Sequence, residues 1–561
     1  ANRVAAELDP DGAGVVGLPE CSLGLVPGWG GTWLLPNLIG AAGAVKVIIE
    51  NPLAQNRLLR PADVAKLGIA DAMFEPADFL ERSLEWAAGV VTGSVVVRRP
   101  PVAREAAWQA AVAKGKAVAD ARVHGAAPAP YRALALLAAA ETAPFADGTA
   151  AEDEALADLM VTPELRSGLY AFDLVQRRAK RPAGAPDSSL ATDVTKVGIA
   201  GAGLMASQIA LLFVRRLQVP VVLTDLDQAR VDAGVGAAHA ELDKLVATGR
   251  LGAGPAAKLR SLVTGAVGKD ALADADLVVE AVFEELKVKQ QVLAELEAVV
   301  RPDCVLATNT SSLSLTAMAD GMTHPERLVG LHFFNPVALM PLVEVVHTRW
   351  TSDTTLATAF AVGKQLRKSC VGVADAPAFV VNRLLTRFMG TVFAAVDAGT
   401  SIEVAETALD PLGLPMRPFA LLQLVGPAVA QHVAETLHAA FPDRFGLSQN
   451  IERLVRSGKP GIYLADRSVD PEAVALFTVG DQPMTAEQVR TAAEEALAEE
   501  ARIMLDEGVV AEPQDIDLCM LLGAGWPFHL GGITPLLDRS GAAERVTGRL
   551  FLPPGVASLP A

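Results

Sequence analysis

The stretch that most restricts what this chain can fold into is "KVGIAGAGLMASQIALLFVRRL", Lys196 to Leu217. A short run rich in β-branched residues leads into Gly201 and Gly203, Ala206 follows, and an apolar helical pattern begins at once. In such a turn the first glycine permits the sharp bend and the second lets backbone approach a pyrophosphate. A small third residue lets the helix lie close on the strand. Alone, the pattern is weak. Here it sits between a strand and a helix, and Asp225 closes the next β-branched run, "VVLTD", at the distance expected of a ribose-binding carboxylate. That carboxylate accepts hydrogen bonds from ribose hydroxyls and repels a 2′-phosphate, so NAD is expected over NADP.

The same alternation continues through "ADLVVEAV" (275–282), "CVLATNT" (304–310) and "RLVGLHF" (327–333), each run separated from the next by helical text. This predicts an α/β fold with a mostly parallel, doubly wound Rossmann-type sheet. With 561 residues the chain is too long for one core. Breaks in Pro and Gly suggest units at 1–97, 98–193, 194–376, 377–480 and 481–561, the second an alanine-rich helical linker and the last two all-α. "GLPMRPFALLQLVG" (413–426) and "GAGWPFHLGGITPLLDRSG" (523–541) each follow a long helical stretch with an acidic-Gly turn, so they read as a degenerate pair of helical repeats.

A net charge of -17 disfavours a general nucleic-acid or anionic-membrane binder. Cys21, Cys304, Cys370 and Cys519 are far apart and show no metal spacing, which suits reduced, buried thiols in the cytoplasm and no metal site. No apolar run is long enough for a membrane span.

The polar residues after the glycine turn fall at strand ends: Glu280 and Glu284, Asn309 to Ser312, and His332. Ligands of open α/β sheets bind there, so these segments point to one crevice. His332, with Glu344 in the next apolar run, gives an ionisable pair in text that should be buried. A structural pair is one reading. The other is an imidazole that takes the proton of a secondary alcohol while hydride leaves to NAD, oriented by the carboxylate.

"VGIAGAGLMASQIA", "DLVVEAVFEELKVK", "NTSSLSLT", "HPERLVGLHFFNPVALMPLVEVV" and "APAFVVNRLL" resemble, in order and interval, the motifs of the L-3-hydroxyacyl-CoA dehydrogenase family over about Lys196 to Gly426. The resemblance implies a catalytic set of His332, Glu344, Ser311 and Asn382. It implies an NAD-binding set of Gly201, Gly203, Leu204, Met205, Asp225, Glu284 and Lys289. His332→Ala is expected to cost more than Glu344→Gln. The chain departs from the family at Ala378, where glycine is usual, and in "PMRPFALLQ", with Arg417 and Gln423.

Nearer the start, "GLPECSLGLVPGWGGTWLLPNLIG" resembles the second half of the crotonase (enoyl-CoA hydratase) fold, with Glu20 matching one of its two catalytic glutamates before Gly28, Gly30 and Gly31. Trp33 and Leu34 replace two polar residues usual there. A crotonase part ahead of a dehydrogenase is the layout of the multifunctional fatty-acid β-oxidation α subunit. That layout implies acyl-CoA substrates, a thiolase β subunit as partner and an oligomer. Only one hydratase glutamate is present, so the crotonase domain is expected to be partial and without hydratase activity, and the first hundred residues to be the least stable. A non-catalytic scaffold of a thiolase complex and a dehydrogenase of another hydroxy acid remain open alternatives.

Overall fold

The computed structural model describes residues 16–478 and 480–559, with the backbone of a short strand at Val4–Ala6. The N-terminal region is helical: α1 (Gly31–Ile39), α2 (Ala106–Val123), α3 (Pro128–Ala139), α4 (Phe145–Met160) and α5 (Pro163–Gln176) are its main elements. One core joins Cys21, Val26, Val45 and Ile48 to Ala119, Leu134, Leu137 and Leu159. The helices expected as a linker over 98–193 therefore supply half of a shared core. The boundary placed at residue 97 is not a boundary in the packing. By contrast, the helix Phe79–Thr92 buries none of its residues and leaves Leu80, Leu84 and Val91 exposed.

Eight strands make the central sheet: β1 (Val197–Ala200), β2 (Val221–Asp225), β3 (Val263–Val267), β4 (Leu277–Glu280), β5 (Val305–Thr308), β6 (Leu328–Phe333), β7 (Leu342–His347) and β8 (Ser369–Ala374). Their spatial order is β8-β7-β6-β5-β4-β1-β2-β3, parallel except where β6 meets β7. The order reverses beside β1, at the glycine turn, which is where open α/β sheets place their ligand crevice. Covering helices include α6 (Leu204–Arg216), α7 (Gln228–Ala247), α8 (Leu286–Val299) and α9 (Asp353–Gln365).

Strand side chains alternate between two cores. Val329, Leu331 and Phe333 of β6 and Val343 and Val345 of β7 face one. Leu328, Leu342 and Val346 face the other, which is shared with the C-terminal helices. Both faces are covered, so the strands read as almost unbroken apolar runs.

The C-terminal half is built on α10 (Val381–Ala398), α11 (Ala486–Asp506) and α12 (Pro513–Gly523). The two long helices, each leading to an acidic-Gly turn, pack on one another. A fully buried ion pair crosses between them, Arg383 Nε to Glu500 Oε1 at 2.6 Å, with Arg444 on the same carboxylate. Removing one partner of such a pair is costly because the other charge stays in the core.

A second clasp joins α5 to α12. Asp517 accepts from the Tyr170 hydroxyl at 2.8 Å and the Thr534 N–H at 2.7 Å, and its carboxyl is pushed up by burial from 3.8 to about 7. The folded chain then holds a proton there at pH values where the unfolded chain has lost it. The resulting stability is full below the ordinary value and lost as pH rises through about 7. Asp517→Asn is expected to flatten the fall in Tm between those limits. An unchanged slope in a pH series of melting curves contradicts this.

Candidate active site

The glycine turn has the geometry its sequence requires. Gly201 takes φ 114°, and a β-carbon there would sit 2.5 Å from the Ala281 carbonyl oxygen. At Gly203 an added β-carbon meets nothing within 4 Å, so open space lies over the N-terminus of α6. Leu204 is exposed in the first turn and Met205 is partly buried beside it. Asp225, at the end of β2, accepts the Ala202 N–H at 2.9 Å and the Leu226 N–H at 2.7 Å. It thus lies against the turn itself. Backbone N–H groups at a helix N-terminus with a carboxylate at the neighbouring strand end fit a dinucleotide's pyrophosphate and ribose.

Beyond the turn, the ends of β4, β5 and the loop after β5 are tied by one charge network. The Lys289 ammonium is 2.8 Å from Glu280 and 3.2 Å from Glu284, and its side chain is 1% exposed. Glu280 also accepts from the Thr308 hydroxyl at 2.6 Å. Glu284 accepts from the Thr310 hydroxyl, the Ser311 N–H and the Ser311 hydroxyl at 2.6, 2.8 and 3.2 Å. Burial acts to raise the Glu284 carboxyl. The Lys289 charge and the Thr310 and Ser311 hydrogen bonds outweigh it, and the group lies below its usual value. Its stabilising contribution is present above the ordinary carboxylate range and lost as pH falls through the lowered value. Lys289, expected at the ligand surface, instead stands behind Glu284.

His332 and Glu344 are directly opposed in the antiparallel register of β6 and β7, so both side chains leave the same face. Nδ1 of the imidazole is 2.6 Å from Glu344 Oε2. The other oxygen, Oε1, accepts from the Val380 and Val381 N–H groups at 3.2 and 3.0 Å, at the start of α10. The helix N-terminus thereby fixes the carboxylate's direction. Phe334 and Phe379 lie against the imidazole, with ring centroids 4.4 and 5.5 Å away. With Nδ1 engaged, proton exchange falls to Nε2.

Asn382, the second residue of α10, donates through Nδ2 to the Ser311 carbonyl at 3.1 Å, and the Ala378 N–H donates to the Ser312 carbonyl at 3.1 Å. The structure thus brings His332, Glu344, Ser311, Asn382, Glu284 and Lys289 together through a continuous set of bonds. Ala378 sits at φ 59°, a left-handed conformation that costs a residue with a β-carbon on the order of 1–2 kcal/mol. The alanine found in place of the usual glycine is therefore strained. From behind, α12 packs on β7, and burial followed by the Glu344 charge pushes the Cys519 thiol up.

Residues 196–376 match the 3-hydroxyacyl-CoA dehydrogenase NAD binding domain, and residues 379–465 match the 3-hydroxyacyl-CoA dehydrogenase C-terminal domain. The chain is 33% identical to FadB2 of M. tuberculosis, covering 48% of this chain and 95% of that one, with a TM-score of 0.46. It is 32% identical to the (S)-3-hydroxybutyryl-CoA dehydrogenase PaaH1 of Ralstonia eutropha, covering 47% and 95%, with a TM-score of 0.45. The chain belongs to the 3-hydroxyacyl-CoA dehydrogenase family. The 3-hydroxybutyryl-CoA dehydrogenase of Escherichia coli K12 shares its fold at a TM-score of 0.53 and 25% identity, over 62% of this chain and 96% of that one.

Glu20 stands apart from the dehydrogenase site. It opens the short helix Glu20–Leu23, is half-buried with Oε2 unpaired, and burial raises its carboxyl against a smaller opposing backbone hydrogen bond. The nearby glycine loop has a partner that sequence reasoning missed. Glu152 of α4 is buried and accepts the Gly30 and Thr32 N–H groups at 2.6 and 2.8 Å and the Thr32 hydroxyl at 2.5 Å. Trp33, a departure from the crotonase pattern, donates to the Ala143 carbonyl at 2.8 Å and packs on Phe145. The two departures in the helical half are likewise satisfied. Arg417 forks onto Asp410 at 2.7 and 3.0 Å, and Gln423 bonds the Tyr463 backbone both ways at 3.0 and 3.1 Å.

Proposed function

We propose that this dehydrogenase oxidises the 3-hydroxyl of an (S)-3-hydroxyacyl-CoA to the ketone, with His332 as the proton acceptor. The carrying observation is the His332–Glu344 pair across β6 and β7, in the same sheet whose β1 leads into the glycine turn. When bound, NAD supplies the hydride acceptor. Nε2 of His332 receives the hydroxyl proton, and Glu344 stabilises the imidazolium that results. Ser311 and Asn382, already bonded to each other, hold the reacting oxygen in line and lower the entropic part of the barrier. Gly201, Gly203, Leu204 and Met205 would hold the pyrophosphate and Asp225 a ribose, and Glu284, paired with Lys289, would supply a further acidic contact to NAD. The test is NADH formation by the full chain with 3-hydroxyacyl-CoAs of graded length. No reduction with any of them sinks the reading.

The N-terminal region is read as part of a crotonase domain of a multifunctional β-oxidation enzyme, acting in the cytoplasm with a thiolase partner. Support for this part is the text around Glu20 and the four buried free cysteines. A hydratase site needs a second carboxylate and free N–H donors for a thioester oxyanion. Here two N–H groups of the glycine loop are occupied by Glu152. Crotonyl-CoA is accordingly expected to go unhydrated by this chain. Hydration abolished by Glu20→Gln contradicts the expectation.

A further inference from the structure

The loop from Phe334 to Pro341, which connects the histidine strand β6 to the glutamate strand β7, is gripped from two sides. On one side stands Gln208, in the second turn of α6, the helix that follows the glycine turn. Its Nε2 donates to Asn335 Oδ1 at 3.1 Å, and its Oε1 accepts the Val337 N–H at 2.8 Å. On the other side stands Lys368, just before β8. Its Nζ donates to the Val337 and Met340 carbonyls, both at 2.5 Å. The Val337 side chain is buried between these grips, and Phe334, at the start of the loop, packs on the imidazole of His332.

Neither polar side chain is explained by charge pairing. Burial, and then the charge of Arg216, push the Lys368 ammonium down to about 8, so its placement there is a cost that the two carbonyl bonds offset. Gln208 uses both ends of its amide on the same loop, which a surface glutamine has no need to do.

We propose that Gln208 and Lys368 are positioning residues for alcohol oxidation: Gln208 binds loop 334–341 to α6 and Lys368 binds it to the start of β8, so the imidazole and the turn that receives the dinucleotide keep one relative placement. This rests on the reading of His332 as proton acceptor. The glutamine joins the loop to the cofactor helix, the lysine joins it to the sheet, and Phe334 carries the placement to His332. Errors in alignment on the order of 1 Å cost up to about a hundredfold in rate, so loosening either grip acts on turnover rather than on binding.

The experiment compares Gln208→Met, which keeps size and helix preference, with Lys368→Met and Lys368→Arg. Steady-state kinetics are run with substrate bearing hydrogen or deuterium at C3, with NADH binding and Tm measured in parallel. Gln208→Met and Lys368→Met are expected to lose about tenfold in kcat. Their isotope effect should rise while the NADH Kd stays near that of the parent. Lys368→Arg, which keeps the donors, should recover most of the loss. Parent-like kcat and isotope effect in both methionine variants, with only Tm altered, overturn the proposal and leave the functional reading intact. If Lys368→Met fails to fold, the soluble Gln208→Met variant decides alone. A parent enzyme that reduces no NAD overturns the functional reading instead.

Discussion

His332→Ala should lose roughly a hundred- to ten-thousand-fold in kcat, the usual contribution of a positioned acid–base group, while binding NADH as the parent does. Loss of binding without loss of turnover contradicts the role. The geometry sharpens the expectation for Glu344. Its Oε1 accepts two backbone N–H groups, so in Glu344→Gln the amide oxygen must stay on that side and the NH₂ group must face His332 Nδ1. Nδ1 then has to accept, which puts the ring proton on Nε2 and blocks it as a base. The variant should therefore lose nearly as much as His332→Ala near neutral pH, more than the sequence alone suggests. A loss of only a few-fold contradicts the assigned tautomer.

Cofactor choice should change by one to two orders of magnitude when Asp225 is replaced by serine. Two unit charges about 4 Å apart repel by about 4 kcal/mol at a surface-like dielectric before further solvent screening, enough to exclude a 2′-phosphate. The structure adds a second participant. Arg230, in the first turn of α7, has its guanidinium 3.7 Å from Asp225. Its Nε is also 3.3 Å from Asp227, so without Asp225 the guanidinium keeps one carboxylate partner and turns its other N–H groups to a phosphate. Asp225→Ser should weaken NAD and admit NADP, and Asp225→Ser/Arg230→Ala should lose most of that gain. Competitive kinetics with the two cofactors read both effects. Equal use of both by the parent enzyme, or a gain independent of Arg230, contradicts this account.

The parts legible in the sequence are those in which a local constraint fixes the residue type. Gly201 has no room for a β-carbon, Asp225 ends its strand where a ribose is expected, and β2 runs over the residues its β-branched text marks. The His332–Glu344 pairing was also accessible, because a two-residue alternation carries both side chains to one face once the strands are antiparallel. What could not be read is partner choice set by tertiary contact. Nothing in "RKSCVGVA" tells that Lys368 will cap two carbonyls of a distant loop, nor in "AAEDEA" that Glu152 will hold the glycine loop. The strand β3, at the sheet edge with only Val263 buried, lacked the apolar density that identified its neighbours. The core shared by the 98–193 helices with the segment before them was not legible for a related reason. Alanine-rich text resembles solvent-spanning helix, but small residues such as Ala129 and Ala133 here permit close helix packing in a core.

The most direct test of the central claim is isotope transfer by the full chain, using an (S)-3-hydroxyacyl-CoA carrying deuterium at C3. The account predicts that the deuterium appears in the reduced nicotinamide, with one ketone formed per NADH, and that His332→Ala nearly abolishes both while NADH binding persists. Reduced nicotinamide without the label, or label transfer at the parent rate in His332→Ala, would contradict it.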